Sequence, residues 1–248
     1  MPSFAFDYSY VLLAMIVIMA LLYSSVGHGG ASGYLAAMAL FSLTPELMKP
    51  AALTMNIFVS TLVLWRLSKA GYFNWKLFLP IMTGSVPMAF IGGMLLINVG
   101  MYKIIVGLAL LLAAVHMIFK VPQHEEPRPV KTVLAVVIGA CLGFIAGLTG
   151  VGGGIYLSPL LLLLQWTTMR GSAAIAAGFI LVNSIAGLLG YWLVVSTFPP
   201  GIPVMVICAL LGALLGSELA VRRAAPALLR RLLGLVLIVA GMKMILTA

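Results

Sequence analysis

Two stretches of this chain carry glycine where a helix would carry side chains: SSVGHGGASGYL, Ser24 to Leu35, and GLTGVGGGIYLSP, Gly147 to Pro159. Each follows a long apolar run. Glycine costs a helix about 0.8–1 kcal/mol per residue against alanine, so a cluster of it breaks the helix. Such a break can offer backbone N–H groups, because glycine adopts torsions closed to other residues and lets a ligand come close. The helix that restarts beyond it adds its free amides and the positive end of its dipole. Two breaks facing each other make a pocket of donors suited to an anion. The candidate substrate-binding residues are Gly27, His28, Gly29 and Gly30 in the first break, and Thr149, Gly150, Gly152, Gly153 and Gly154 in the second. The competing reading is that these glycines only let helices pack closely. That packing role is the expectation for the isolated Gly92, Gly93, Gly107, Gly212, Gly216 and Gly234.

His28 stands where the second stretch has Val151. A histidine there can bond an anion, carry a coupling proton or cap the loop, and the sequence leaves all three open. Beyond the first break lie Thr54 and Asn56, and beyond the second Asn183 and Ser184. Amides inside apolar runs either join helices or line a cavity. Ser24 and Ser25 are further hydroxyl donors. The five acids are Asp7, Glu46, Glu125, Glu126 and Glu218, and only Glu218 approaches the interior of an apolar run, one turn from Arg222. An ion pair between those two is the expectation. A cation carrier would be expected to bury a carboxylate at mid-membrane, so an anionic or neutral substrate fits better. No metal or cofactor is expected, since GVGGGI lacks both the third glycine of a dinucleotide fingerprint and the G-K-[ST] of a phosphate loop. GASG, Gly30 to Gly33, resembles the G-x-S-G of intramembrane serine proteases, with Ser32 as nucleophile. Its base would have to be His116, and Ile155 replaces the serine in the second stretch, so no catalytic residue is assigned.

The elements that hold these residues are set by composition. The chain is 63% hydrophobic and 8% charged, with a mean hydropathy of +1.21. So few charges cannot build a surface facing water, and the apolar runs approach the ~20 residues of a spanning helix. Ten helical segments are expected, at 8–24, 30–43, 50–66, 76–97, 102–119, 130–148, 153–166, 171–195, 203–221 and 228–246. The fold class is an all-α polytopic membrane protein of two inverted repeats with about five segments each. Eight to ten segments would cross, and 30–43 and 153–166 are short enough to be re-entrant. The first repeat covers residues 1–119 and the second 132–248, joined by a linker at 120–131 whose prolines and paired glutamates end the helices. Cys141 and Cys208 read as small buried hydrophobes, since neither has C-x-x-C spacing.

A formal charge of +9 does not indicate a nucleic-acid partner, because the basic residues collect in short loops. Arg66, Lys69 and Lys76 bracket one turn and Arg222, Arg223, Arg230 and Arg231 another, which marks those loops and the linker as cytoplasmic. The uncharged loop at 197–203 and both termini then fall outside, and Arg170 falls inside only if 153–166 carries the chain across. His116 and His124 read as interfacial, and Lys243 as snorkelling to the surface.

The motifs VGHGGASGYLAAMALF, MKPAALTMNIFVS, GLTGVGGGIYLSPLLLL and AAGFILVNSIAGLLG together resemble the sulfite exporter TauE/SafE family, also called the four-toluene-sulfonate uptake permease family. The resemblance extends over nearly the whole chain. It implies a multi-pass protein of the bacterial inner membrane that moves sulfite, thiosulfate or an organosulfonate. The two glycine loops, Asn56 and Asn183 are the positions it carries over. Since no ATP-binding motif is present, such a transporter would be secondary, working by alternating access with a proton or sodium ion as a possible coupling partner. The alternative is a channel-like anion pore. The oligomeric state is left open.

Overall fold

The computed structural model describes residues 10–118, 127–195, 199, 201–222 and 227–248. Among these lie ten helices: α1 (Tyr10–Ser25), α2 (Ala31–Leu40), α3 (Pro45–Lys69), α4 (Trp75–Met94), α5 (Val99–Ile118), α6 (Thr132–Thr149), α7 (Gly154–Leu163), α8 (Met169–Val194), α9 (Ile202–Arg222) and α10 (Ala227–Leu246). The number and order match the sequence expectation, and no strand occurs among the described residues. By length and apolarity, α3, α4, α6, α8 and α9 each suffice to cross a membrane. Large apolar side chains stand exposed on the outer faces of the helices, among them Phe58, Leu112, Val137, Leu193, Leu211 and Val239. Such a surface is stable against hydrocarbon and not against water.

Most helix boundaries fall within three residues of expectation, and the largest departure is the start of α3. α3 begins at Pro45, the first helical position that proline favours, and runs on through Pro50. Pro50 has no N–H to offer the carbonyl of Glu46 four residues back. The Tyr191 hydroxyl supplies that missing bond, donating to Glu46 O at 3.2 Å. α4 and α8 start on side-chain caps, Asn74 accepting from Lys76 N at 3.0 Å and Thr168 from Gly171 N at 3.3 Å.

The helix ends sort onto two faces. On one, Lys103 at the start of α5 reaches Thr247 O, and Lys243 donates to Leu40 O at the end of α2 at 2.7 Å and to Ser42 Oγ at 2.9 Å. The expected snorkelling of Lys243 is thus replaced by capping of α2, whose last carbonyls need a donor. This terminal face also holds the start of α3 and the ends of α4 and α8. On the opposite face Arg170 meets Tyr72, Arg128 N donates to Gln165 O, and Arg66 of α3 pairs with Glu218 of α9 at 3.0 Å. Glu218 thus has one partner on another helix; the Arg222 side chain, its expected partner, lies outside the described residues, as do the linker residues 119–126, which include His124, and the side chain of His116. Lys69, Lys76, Lys131 and Arg231 belong to this basic face as well.

Between the faces the backbones approach closely. α4 and α6 run parallel, with Gly139, Gly143 and Gly147 of α6 seated on the carbonyls of Ile81, Ser85 and Ala89. α1 and α9 do the same, Gly212 and Gly216 lying on the carbonyls of Val17 and Leu21. Gly92, Gly93 and Gly107 are packed this way too, as expected for isolated glycines. Exchanging each of the first five helices for the one five places on carries the principal helix pairs onto one another. α1 on α9 becomes α6 on α4, α3 on α9 becomes α8 on α4, and α2 on α10 becomes α7 on α5. Cys141 is exposed on α6 rather than buried, and both cysteines are free.

A β-carbon at Gly147 would lie 1.9 Å from Ala89 O, whereas one at Gly100 would come no closer than 3.4 Å to Ala248 C. Gly147→Ala should therefore lower stability by about 1–3 kcal/mol, the usual cost of overpacking. Thermal unfolding of purified protein in detergent should show that loss, with Gly100→Ala near wild type; equal melting of the two variants contradicts the α4–α6 contact.

Candidate functional site

The first break follows α1, which leaves the terminal face and nearly reaches the basic one. The chain turns at residues 26–30, with φ of 85° at Gly27 and 96° at Gly30, and α2 returns to the terminal face. The second break is built the opposite way round. α6 leaves the basic face, the chain turns at Gly150, Gly152 and Gly153 with φ of 81°, 78° and 71°, and α7 returns to the basic face. These left-handed torsions explain why side-chain-bearing residues are excluded. α2 and α7 have ten residues each, about 15 Å, which is half a bilayer core. Both are half-helices that begin at mid-depth and end at a face. α7 returns the chain to the basic face as a half-helix rather than by the full crossing that the sequence expectation required for Arg170, and Arg170 meets Tyr72 on that face.

The two tips converge on one place. A β-carbon on Gly29 would lie 2.9 Å from Ile180 Cγ2 and 3.2 Å from Asn56 Oδ1, and one on Gly152 would lie 2.8 Å from Asn56 Nδ2 and 3.1 Å from Ile180 Cγ2. Asn56 and Ile180 sit near the middles of α3 and α8, the two central helices. Gly154 abuts Ile180 as well, and Gly153 abuts Phe179. The first hydrogen bonds within the half-helices are Tyr34 N to Gly30 O and Tyr156 N to Gly153 O. Earlier amides of α2 (Ala31, Ser32, Gly33) and of α7 have no acceptor within their own helix. Two positive helix ends thus open beside a single amide side chain.

Asn56 is fully buried. Its Nδ2 donates to Ser184 Oγ at 3.3 Å, and its Oδ1 has no hydrogen-bond partner among the described residues. A buried, half-satisfied amide is costly unless something else completes it. Turning the amide over would present N–H donors to the same side. Asn183, also fully buried, donates from Nδ2 to Phe179 O at 2.8 Å and leaves Oδ1 likewise without a partner. The side chain that meets Asn56 from α8 is therefore Ser184, because Asn183, the residue before it, projects about 100° away around the helix.

The remaining expected residues flank the centre. Gly27 packs on Ala173 and Leu67 toward the basic face, and Gly150 on Lys49 toward the terminal face. Thr149 organises the second turn: its Oγ1 donates to Ile145 O at 2.7 Å and accepts from Val151 N at 3.2 Å, while its carbonyl accepts from Tyr102 Oη at 2.9 Å. His28 is buried, and its Nε2 lies 3.1 Å from Ser158 Oγ on α7, so it bridges the first tip to the second half-helix. Ser24, Ser25 and Thr54 spend their hydroxyls on carbonyls of their own helices. The sequence reading missed Ile180, an apolar residue with no chemical signal, and Lys49, a buried lysine inside an apolar helix.

The sequence model of the family described as "Sulfite exporter TauE/SafE" matches residues 12–244. The "Probable membrane transporter protein y4hK" of Sinorhizobium fredii is 32% identical over 233 residues, covering 92% of this chain and 94% of that protein. The "Probable membrane transporter protein MJ0441" of Methanocaldococcus jannaschii is 29% identical over 144 residues, 54% of this chain and 52% of that protein. No solved structure matches the chain.

Removing the His28–Ser158 contact tests how the tips are held. His28→Leu and Ser158→Ala, made singly and together, should show a coupling of about 1 kcal/mol in chemical unfolding, the worth of one buried hydrogen bond. Strictly additive losses would mean that the two side chains do not interact.

Proposed function

The chain belongs to the sulfite exporter TauE/SafE family of membrane transporters, and on that premise we propose that it carries a small sulfur-containing anion at the meeting point of its two glycine loops. The observation that carries this reading is the convergence of Gly29 and Gly152 on the same two side chains, Asn56 and Ile180, with the N-termini of α2 and α7 opening there. Helix N-termini bind anions through free amides and a positive dipole end, and discontinuous helices at mid-membrane are where secondary transporters hold substrate. Sulfite, thiosulfate and organosulfonates offer several acceptor oxygens around one centre, which suits donors arriving from two directions. Charge supports the same sign of substrate. The acidic residues whose placement is described, Glu46 and Glu218, sit at helix ends and leave no carboxylate beside Asn56. Ser32 is buried at the start of α2, and the side chain of His116, the base that GASG would need, lies outside the described residues.

The mechanism proposed is alternating access by two inverted repeats. The exchange symmetry of the packing and the opposite directions of the two hairpins support that relation. Asn56, Asn183 and Ser184 are all fully buried, which fits an occluded carrier better than an open pore. Arg66, Lys69, Lys76, Arg128, Lys131, Arg170 and Arg231 share one face, which supports a cytoplasmic position for that face and, with it, termini outside the inner membrane. The fuel would be an ion gradient, proton or sodium, or the substrate's own.

Purified protein should gain thermal stability with sulfite or thiosulfate in proportion to the logarithm of concentration over Kd, and should move the same anion in proteoliposomes. Gly29→Leu, Gly153→Leu and Asn56→Leu should each abolish both effects, because their side chains fill the meeting point. Wild-type flux in those variants that fold defeats the proposed site, and saturation-free flux without counterflow would replace the carrier by a pore.

A further inference from the structure

Lys49 is a charged side chain sealed inside the terminal half of the protein, 4% exposed on α3. Its ammonium donates to three carbonyls at the end of α4, Gly92 O at 3.3 Å, Gly93 O at 3.0 Å and Leu95 O at 3.4 Å, and lies 5.5 Å from the centre of the Tyr191 ring. A cation belongs at the negative end of a helix, and three donors meeting three acceptors leave it fully satisfied. The rest of the residue faces the second glycine loop: a β-carbon on Gly150 would lie 3.2 Å from Lys49 O and 3.6 Å from Lys49 Cγ. Gly92 and Gly93 in turn are wedged against the backbones of α6 and α8. One ammonium thus ties together α3, α4 and the mouth of the second hairpin on the terminal side of Asn56.

At the matching joint of the other half no such buried tie occurs among the described residues; the cation that reaches a carbonyl on that side, Arg66 on Leu214 O of α9, makes an exposed bond. Lys49 is the fifth residue of α3 and touches Gly150, the first glycine of its loop. The fifth residue of α8 is Ala173, and it touches Gly27, the first glycine of the other loop. The same joint is therefore made with a lysine toward the terminal face and an alanine toward the basic face. Opening the terminal face parts α3 from the loop and strains the bonds of the ammonium to the α4 carbonyls. An arriving anion offers charged acceptors, whose hydrogen bonds to a cation are about twice as strong as those of neutral groups.

We infer that Lys49 recognises the anion at the terminal face, its ammonium passing from the carbonyls of α4 to the anion's oxygens as that face opens, while the matching joint toward the basic face, at Ala173, holds no charge. The inference rests on the anion-carrier reading above. It makes the carrier asymmetric: apparent affinity depends on Lys49 from one side only.

The test is initial-rate uptake of sodium thiosulfate and sodium sulfite by the full chain in membrane vesicles of each orientation, for wild type, Lys49→Gln and Lys49→Arg. Lys49→Gln should raise KM from the terminal face about tenfold or more, the loss of a hydrogen bond to a charged group, with KM from the basic face within twofold of wild type. Lys49→Arg should recover most of the lost affinity. An equal rise from both faces, no change from either, or failure of both variants to fold overturns the inference and leaves the lysine a structural cap. Absence of wild-type flux with any sulfur anion defeats the underlying reading instead, which keeps the two failures distinct.

Discussion

Amide and carbonyl groups in hydrocarbon have no water to turn to, so a chain that breaks its helix inside a membrane must enclose the break in protein. This molecule breaks twice, at 26–30 and 150–153, and the remaining architecture encloses those two places. The longest helices, α3 and α8, stand between the breaks. Where the tips meet, their contacts come from Asn56, Ile180 and Phe179, while Lys49 packs on Gly150 at the edge of the second loop. The outer pairs α1–α9 and α4–α6 close in until glycine lies on carbonyl, removing the gaps through which lipid could reach the loops. Short half-helices follow from the same requirement: a segment that starts at mid-depth needs only ten residues to reach a face.

The enclosure is nearly the same in both halves, and the departures fall on polar side chains. One tip carries His28, bonded to Ser158, where the other carries Val151 within the apolar core. Carbonyl ends are met by cations from distant helices, Lys243 on α2, Lys49 on α4 and Arg66 on Leu214 O of α9. The two halves therefore resemble each other in helix pairing but differ in where they hold charge.

Most of this was legible in the residues. Apolar runs and glycine clusters mark ten helices and two breaks, because hydrocarbon demands the former and tolerates the latter only at special places. Asn56 and Ser184 stood out as polar groups in apolar surroundings, and both reach the centre. What stayed hidden has a common cause, namely that a partner carbonyl has no letter in the sequence. Lys49 was an unremarked lysine until the end of α4 lay against it, and Lys243 was assigned to the surface until α2 ended beside it. Pro50 marked a helix start by rule, but the Tyr191 hydroxyl replaces the bond it forgoes and α3 begins a turn earlier. Ile180 has no signal at all, since its role is to be an apolar wall at the right depth.

The pairing of α1 with α9, and of α2 with α10 through Lys243, also bears on how the protein is made. The first hairpin enters the membrane when most of its eventual neighbours have yet to be synthesised. At ~5–20 residues per second, ribosomes need about ten seconds or more to deliver the helices that cover it. During that interval the loose amides around Gly29 lack their final enclosure. Biogenesis thus turns on a waiting period in which the first hairpin must be sheltered by the insertion machinery or remain shallow in the bilayer. α9 and α10, translated long after the first hairpin, complete its enclosure.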